Sequence, residues 1–257
     1  MPIDSKVLEL LALPGGVSPV TALFISLAAA VTSFISALAG VGGGTILLGL
    51  MSTLLPAPAL IPVHGVVQLG SNFFRSILLL NQAKLSILMP FALGSAIGSS
   101  ISGVIFLQIP PWLIQYGIAG FIIWSVYARV PSLGRGHIII AGSVSGFLTM
   151  LFGATGPFVG GFIRTFNLAP ASHVATQAML MTLQHLLKII VFGILGFSFA
   201  PYLPLILMML VGGFAGTLAG RAALFKIDQE KFRSIVKVVL VLLAARLLWI
   251  ATSSVLF

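Results

Sequence analysis

The chain has 257 residues; 59% are hydrophobic and 7% charged, with 13 basic and 4 acidic side chains and a net charge of +9. An average soluble domain is about 25% charged, and so few charges cannot cover a water-facing exterior. A soluble enzyme, a disordered chain and a disulfide scaffold are thereby excluded, and the long apolar stretches make this a polytopic membrane protein.

Cysteine is absent, which removes thiolate metal sites and cysteine nucleophiles. The positive balance reads as cytoplasmic loops that orient the spans. Basic runs with interleaved aromatics are missing, so nucleic acid is not an expected partner; the lipid bilayer is.

In chain order, segment 1–18 has one Lys beside Asp4 and Glu9, and without a basic n-region it is not expected to be a cleaved signal. Apolar segments follow at Pro19–Ala39, 60–80, 85–107, Pro111–Tyr127, Ile138–Phe152, 170–197, 201–224 and 232–255. Two shorter ones, 45–55 and 158–166, follow glycine-rich breaks. All are read as helices, because the period-2 alternation of a barrel is absent.

The chain repeats itself. Val31, Phe34, Gly40, Arg75 and Gly103 are matched by Val144, Phe147, Gly153, Lys188 and Gly216, each pair 113 positions apart. Pro56 and Pro170 match with a slip of one. The division expected is an N-terminal segment (1–18), a first repeat (19–108), a linker helix and cytoplasmic loop (109–136), a second repeat (137–226) and a C-terminal helix (227–257). Paired interruptions in two halves point to a transporter's binding site.

Charge placement tests the topology. If every long segment spans, the loop cations split five against six, with no bias. If each glycine break is the tip of a re-entrant hairpin, then Lys84, Arg129, Arg135, Arg164, Arg221, Lys226, Lys231, Arg233 and Lys237 share one face. Only Lys6 and Arg246 lie toward the other. Nine against two is the asymmetry of a cytoplasmic face. The expected fold is therefore an all-α polytopic membrane protein of two inverted repeats. Each repeat has a glycine-broken, re-entrant or discontinuous helix pair followed by spanning helices, with six full spans in all. A tilted Pro19–Ala39 would also be long enough to span.

The first break is Gly40-Val41-Gly42-Gly43-Gly44 and the second Gly153-Ala154-Thr155-Gly156-Pro157. Each precedes a short helix whose N-terminus, carrying about half a positive charge, lies inside the membrane and favours an anion. Pro157 suits a first helical position. Arg75 and Lys188 read as near mid-helix, where a cation costs ~2.5–3.5 kcal/mol even on the mildest scale. The four acids, Asp4, Glu9, Asp228 and Glu230, are all near chain ends or loops. The missing negative charge is then supplied by a substrate.

His64, Gln68, Asn72 and Arg75 fall on one helix face, and His173, Gln177, Gln184 and Lys188 repeat much of that stripe, with His185 opposite Asn72 in the repeat. The substrate-binding candidates are Gly42, Gly43, Gly44, Gln68, Asn72, Arg75, Gly153, Thr155, Gly156, Gln184, His185 and Lys188. Gly94, Gly98 and Ser102, and Gly212, Gly216 and Gly220, read first as close contacts within the bundle and second as a homodimer face. An intramembrane hydrolase is disfavoured: Gly142-Ser143-Val144-Ser145-Gly146 has Val where the nucleophile of G-x-S-x-G belongs. No catalytic residue, metal ligand or cofactor is expected.

At these residues the chain resembles the sulfite exporter TauE/SafE family. The resemblance rests on Ala39-Gly40-Val41-Gly42-Gly43-Gly44, on the stretch 63–75, and on their weaker second copy, and runs from about Thr21 to Ser253. It implies a two-repeat transporter of the bacterial inner membrane for sulfur-containing anions such as sulfite and organosulfonates. Without the resemblance, the absence of an intramembrane carboxylate already argues against uphill cation coupling. Export by uniport or exchange, without a coupling ion, is expected; an importer would need one, and for it only His64, His173 and His185 are candidate proton carriers.

Overall fold

The computed structural model describes residues 17–39, 42–127, 134, 136–153, 155–223 and 229–256. Among them are ten α-helices and no strand. The helices are α1 (Pro19–Ala39), α2 (Gly43–Met51), α3 (Ala57–Leu78), α4 (Leu88–Phe106) and α5 (Pro111–Tyr127), then α6 (Ile138–Phe152), α7 (Gly156–Arg164), α8 (Pro170–Ile194), α9 (Leu203–Ala223) and α10 (Gln229–Leu256). Both short helices, α2 and α7, fall where the sequence places them. Among the described residues five stretches are long and apolar enough to cross a membrane: Pro19–Leu38, Leu85–Phe106, Pro170–Ile194, Ala200–Ala223 and Glu230–Ser253. This differs from the six expected spans. α1 qualifies, α5 has only 17 residues, and α3 carries a buried polar face of His64, Gln68, Ser71 and Asn72.

Polarity is distributed inside out. The outer face of α4 exposes Met89, Leu93, Ile97 and Ile101, four residues apart, as a lipid-facing stripe. Ser95, Ser99 and Ser102 of the same helix are fully buried. Helices in lipid associate through close backbone approach and small residues rather than through apolar burial.

The sequence expectation for the glycine stripes holds inside the bundle. A Cβ at Gly94 or Gly98 would collide with the carbonyls of Ile139 or Ser143 on α6. Ser95 Oγ and Ser99 Oγ donate to the Gly142 and Gly146 carbonyls at 3.2 and 3.3 Å. The second stripe does the same to α1: Gly212, Gly216 and Gly220 abut the carbonyls of Ser26, Ala30 and Phe34. In both pairs the residue numbers rise together, so α4 runs parallel to α6 and α9 parallel to α1.

α3 and α8 cross antiparallel at the centre. Gly65 faces Lys188, His64 faces His185, and Lys84 N, just beyond α3, donates to Thr176 Oγ1 at 3.0 Å near the start of α8. α5 and α10 are likewise antiparallel, with Tyr116 Oη 2.8 Å from Thr252 Oγ1. Exchanging the two halves leaves this pairing unchanged: α1 with α9, α6 with α4, α3 with α8, α5 with α10.

These pairings define two ends of the bundle. The Lys84 end holds the start of α4, and Phe91 there stacks on Phe162 of α7 at 6.4 Å. Lys84 Nζ lies 5.9 Å from the Phe166 ring, just past α7. Phe91 and Phe162 cluster with Ala141 at the start of α6. α7 therefore finishes where α6 begins. At the opposite, Gly196 end, α8 finishes and the antiparallel α3 begins. α9, and with it the parallel α1, also starts there.

Both breaks are turned by glycine in the left-handed region, Gly42 at φ 101° and Gly153 at φ 78°. A Cβ at Gly42 would press on Val236 of α10, and one at Gly153 on Leu48 of α2, so chain direction and crowding both demand glycine.

Candidate anion site

The two breaks meet beside the α3–α8 crossing. A cavity of about 40 Å³ lies there, room for roughly three water molecules at ~10–15 Å³ each. The first half contributes Ser36 from α1 and Gly42, Gly44 and Thr45 from the start of α2. The second contributes Gly156 and Pro157 from the start of α7. α3 adds His64, Gln68, Asn72 and Arg75, and α8 adds Val174, Gln177, Met181 and His185. The first turns of two helices thus line one small cavity. The N–H groups there have no intrahelical acceptor and carry the positive end of each helix dipole.

Side chains of α3 and α8 tie both tips down in matching fashion. His64 Nε2 lies 2.9 Å from the Gly44 carbonyl, and Gln177 Nε2 donates to the Gly156 carbonyl at 3.0 Å. Positions 64 and 177 are again 113 apart. Arg75 donates through Nη2 to Asn72 Oδ1 at 2.9 Å, and its Nε is buried without a partner. Neither nitrogen of His185 has a partner, nor has His64 Nδ1, although both rings are at most 1% exposed.

Of the residues singled out in the sequence, Gly42, Gly44, Gln68, Asn72, Arg75, Gly156 and His185 come together on the cavity. Gly43 is not among the lining residues and packs against Thr32 and Ser36 of α1. The others form an adjoining clamp on the second break. Gln184 Nε2 donates to the Ser145 carbonyl at 2.7 Å and to Thr155 Oγ1 at 2.9 Å, and Ser145 Oγ donates back to Gln184 Oε1 at 3.0 Å. Lys188 is fully buried and donates to the Gly153 carbonyl at 2.9 Å.

One expectation needs correction. Arg75 is not near mid-helix but in the last turn of α3. The helix starts earlier than the apolar segment, at Ala57, with Pro58 in its first turn where no N–H is needed, and it stops at Leu78 before the polar Asn81-Gln82. Arg75 accordingly sits on the Lys84 side of the cavity. Ser36, Thr45 and Pro157 on the cavity and Ser145 in the clamp were not singled out as site residues. For Ser36 a signal existed, since Thr149 lies 113 positions on, and both are hydroxyls near a glycine break.

Among the described residues no group of acids and histidines could hold a metal ion. A helical bundle with five helices long and apolar enough to cross a membrane, broken around a small cavity that Arg75 lines, is that of a multi-pass membrane protein. The family comparison gives the particular kind. The family model described as sulfite exporter TauE/SafE matches residues 25–247, nearly the whole chain, and the chain belongs to that family. This is a family of membrane anion exporters and not of enzymes. No curated protein and no solved structure matches the chain.

Proposed function

We propose that this protein exports small sulfur-containing anions, sulfite or organosulfonates, across the bacterial inner membrane through the cavity between its two halves, which are inverted repeats. The observation that carries this reading is the meeting of Arg75 with the first turns of α2 and α7 around one cavity. Donors converge there from both halves, and among the described residues no carboxylate lines it.

The inverted arrangement is supported by the pairings. α6 starts and α7 finishes at the Lys84 end, whereas α1 and α3 both start at the Gly196 end, so the two broken pairs reach the centre from opposite faces. Lys84, Arg164, Arg221, Lys231 and Lys237 belong to the Lys84 end, and Arg246 lies toward the other. That asymmetry makes the Lys84 end cytoplasmic. Lys6, Arg129, Arg135 and Lys226, counted in the sequence argument, lie outside the described residues.

In this reading Arg75, Gln68, Asn72, His185 and the Gly44 and Gly156 turns hold the anion. Gln184, Thr155 and Lys188 hold the Gly153 tip in place behind them. A screen of small oxyanions against the purified protein, read by calorimetry, tests it: at least one sulfur oxyanion binds, and a screen without any binder overturns the reading.

A further inference from the structure

The cavity offers more hydrogen-bonding chemistry than a fully deprotonated anion uses. His64 Nε2 lies 2.9 Å from the Gly44 carbonyl oxygen. Two lone pairs at that distance would repel, so the network assigns the hydrogen to Nε2 and leaves Nδ1 as an acceptor. Gln68 Nε2 approaches the same ring nitrogen at the longer 3.3 Å. Nδ1 is buried and unpartnered. His185, whose ring centroid is 6.5 Å from that of His64, has neither nitrogen partnered. A neutral imidazole holds one donor and one acceptor whichever tautomer it adopts.

The side chains that line the cavity thus carry two kinds of unpartnered group. Arg75 Nε and one His185 N–H donate, as do the helix first turns. The remaining His185 nitrogen and His64 Nδ1 accept. A sulfonate or any other anion that only accepts offers those nitrogens no donor and leaves them orphaned in a buried place, whereas an anion with a hydroxyl satisfies one of them. Sites built to pair a substrate hydroxyl reject the analogue lacking it far more strongly than apolar pockets reject a size change.

We propose that the site selects an oxyanion bearing its own hydroxyl, a monoanion of the hydrogensulfite or bicarbonate kind. Its O–H donates to a bare imidazole nitrogen of His185 or His64, while its charged oxygens accept from Arg75 and the two helix starts. This rests on the reading of the cavity as the anion site.

Isosteric pairs of equal charge test it on the purified full chain by calorimetry. Bicarbonate is set against acetate, and hydrogensulfite, at mildly acidic pH, against methanesulfinate. The hydroxyl-bearing member binds about tenfold more tightly in each pair, the loss expected for one orphaned buried acceptor. His185→Phe brings the ratio near one, whereas His185→Asn, which keeps a donor and an acceptor, preserves it. Should the Phe variant not fold, the ratios in the unmodified protein and in His185→Asn decide. Equal affinities within both pairs overturn the proposal and leave the anion site standing. Failure of all four anions to bind overturns the site and the proposal together.

Discussion

Lys188 Nζ donates to the carbonyl of Gly153 at 2.9 Å, so a fully buried ammonium is held by a neutral acceptor at the tip of the second broken helix. This bond does not settle the charge. A cation deep in a membrane helix costs ~2.5–3.5 kcal/mol on the mildest scale, and one hydrogen bond from a charged group returns ~1.5–3 kcal/mol. Lys188→Met keeps most of the volume, removes the charge and orphans one carbonyl. The expected result is a protein of stability between ~0.5 kcal/mol below and ~2 kcal/mol above the parent, that no longer transports because its Gly153 tip is loose. Thermal unfolding in detergent, paired with a flux assay, checks both halves. A large drop in melting temperature would show that the bond outweighs the buried charge.

Arg75 is the complementary case. It faces the cavity and leans on Asn72 of its own helix at 2.9 Å. Its removal subtracts a charged donor from a bound anion, worth ~1.5–3 kcal/mol, or roughly ten- to a hundredfold in affinity. Arg75→Ala should lose that much sulfur-oxyanion binding and still fold. Unchanged affinity, measured calorimetrically, would move the site elsewhere.

Much of this arrangement is legible in the sequence. The 113-residue offset marks both breaks and both cations, because a repeat preserves interruptions as faithfully as apolar segments. The existence of the helices and the close contacts at the glycine stripes follow from apolar length and four-residue spacing; which helices meet there, and that they run parallel, does not. Which polar residues face the cavity does not follow. Gln68 and Gln184 are both buried amides on matching helices, yet one lines the cavity and the other grips Ser145 and Thr155. That choice depends on how the α6–α7 tip sits against α8, a tertiary relationship with no local signature. Arg75 lies nearer the helix end than its apolar segment suggests, because α3 starts at Ala57, outside that segment, and stops at Leu78.

The seams give a stability prediction. A methyl group at Gly98 meets the Ser143 carbonyl and one at Gly216 meets that of Ala30, both backbone atoms that cannot rotate away. Gly98→Ala and Gly216→Ala should each cost ~1–3 kcal/mol through overpacking. Gly120 has nothing within 4 Å of such a methyl, and Gly120→Ala should be neutral or stabilise by up to ~1 kcal/mol through helix propensity. Equal melting temperatures for all three would contradict the parallel seams.

Topology is open to a direct chemical test because the chain has no cysteine. Gln82 lies between α3 and α4, Gln108 between α4 and α5, and both are exposed. In the inverted reading Gln82→Cys faces the cytoplasm and Gln108→Cys the periplasm. An impermeant thiol reagent added to intact cells should label the second and spare the first. The reverse pattern would invert the protein in the membrane, and labelling of both would break the assignment of α4 as a span.

The last prediction concerns what drives transport. The chain has four acidic residues, at positions 4, 9, 228 and 230, and none falls within α1 to α9. Transporters that climb a gradient with sodium or protons usually bind the ion at an intramembrane carboxylate, and among the described residues α1 to α9 hold none. An anion leaving a cell of negative interior instead releases ~2.3 kcal/mol per charge per 100 mV, so export needs no partner ion. What the protein must supply is a lower barrier, and Arg75 with the starts of α2 and α7 supplies positive potential part-way across. In proteoliposomes loaded with sulfite, an inside-negative potential should therefore accelerate efflux from a lumen that stands for the cytoplasm. An imposed sodium gradient should leave the rate unchanged. A proton gradient should act only modestly, through substrate protonation or the buried histidines. Efflux that stops without a sodium gradient would mean that a cation site exists without a carboxylate, built from backbone carbonyls at the two breaks.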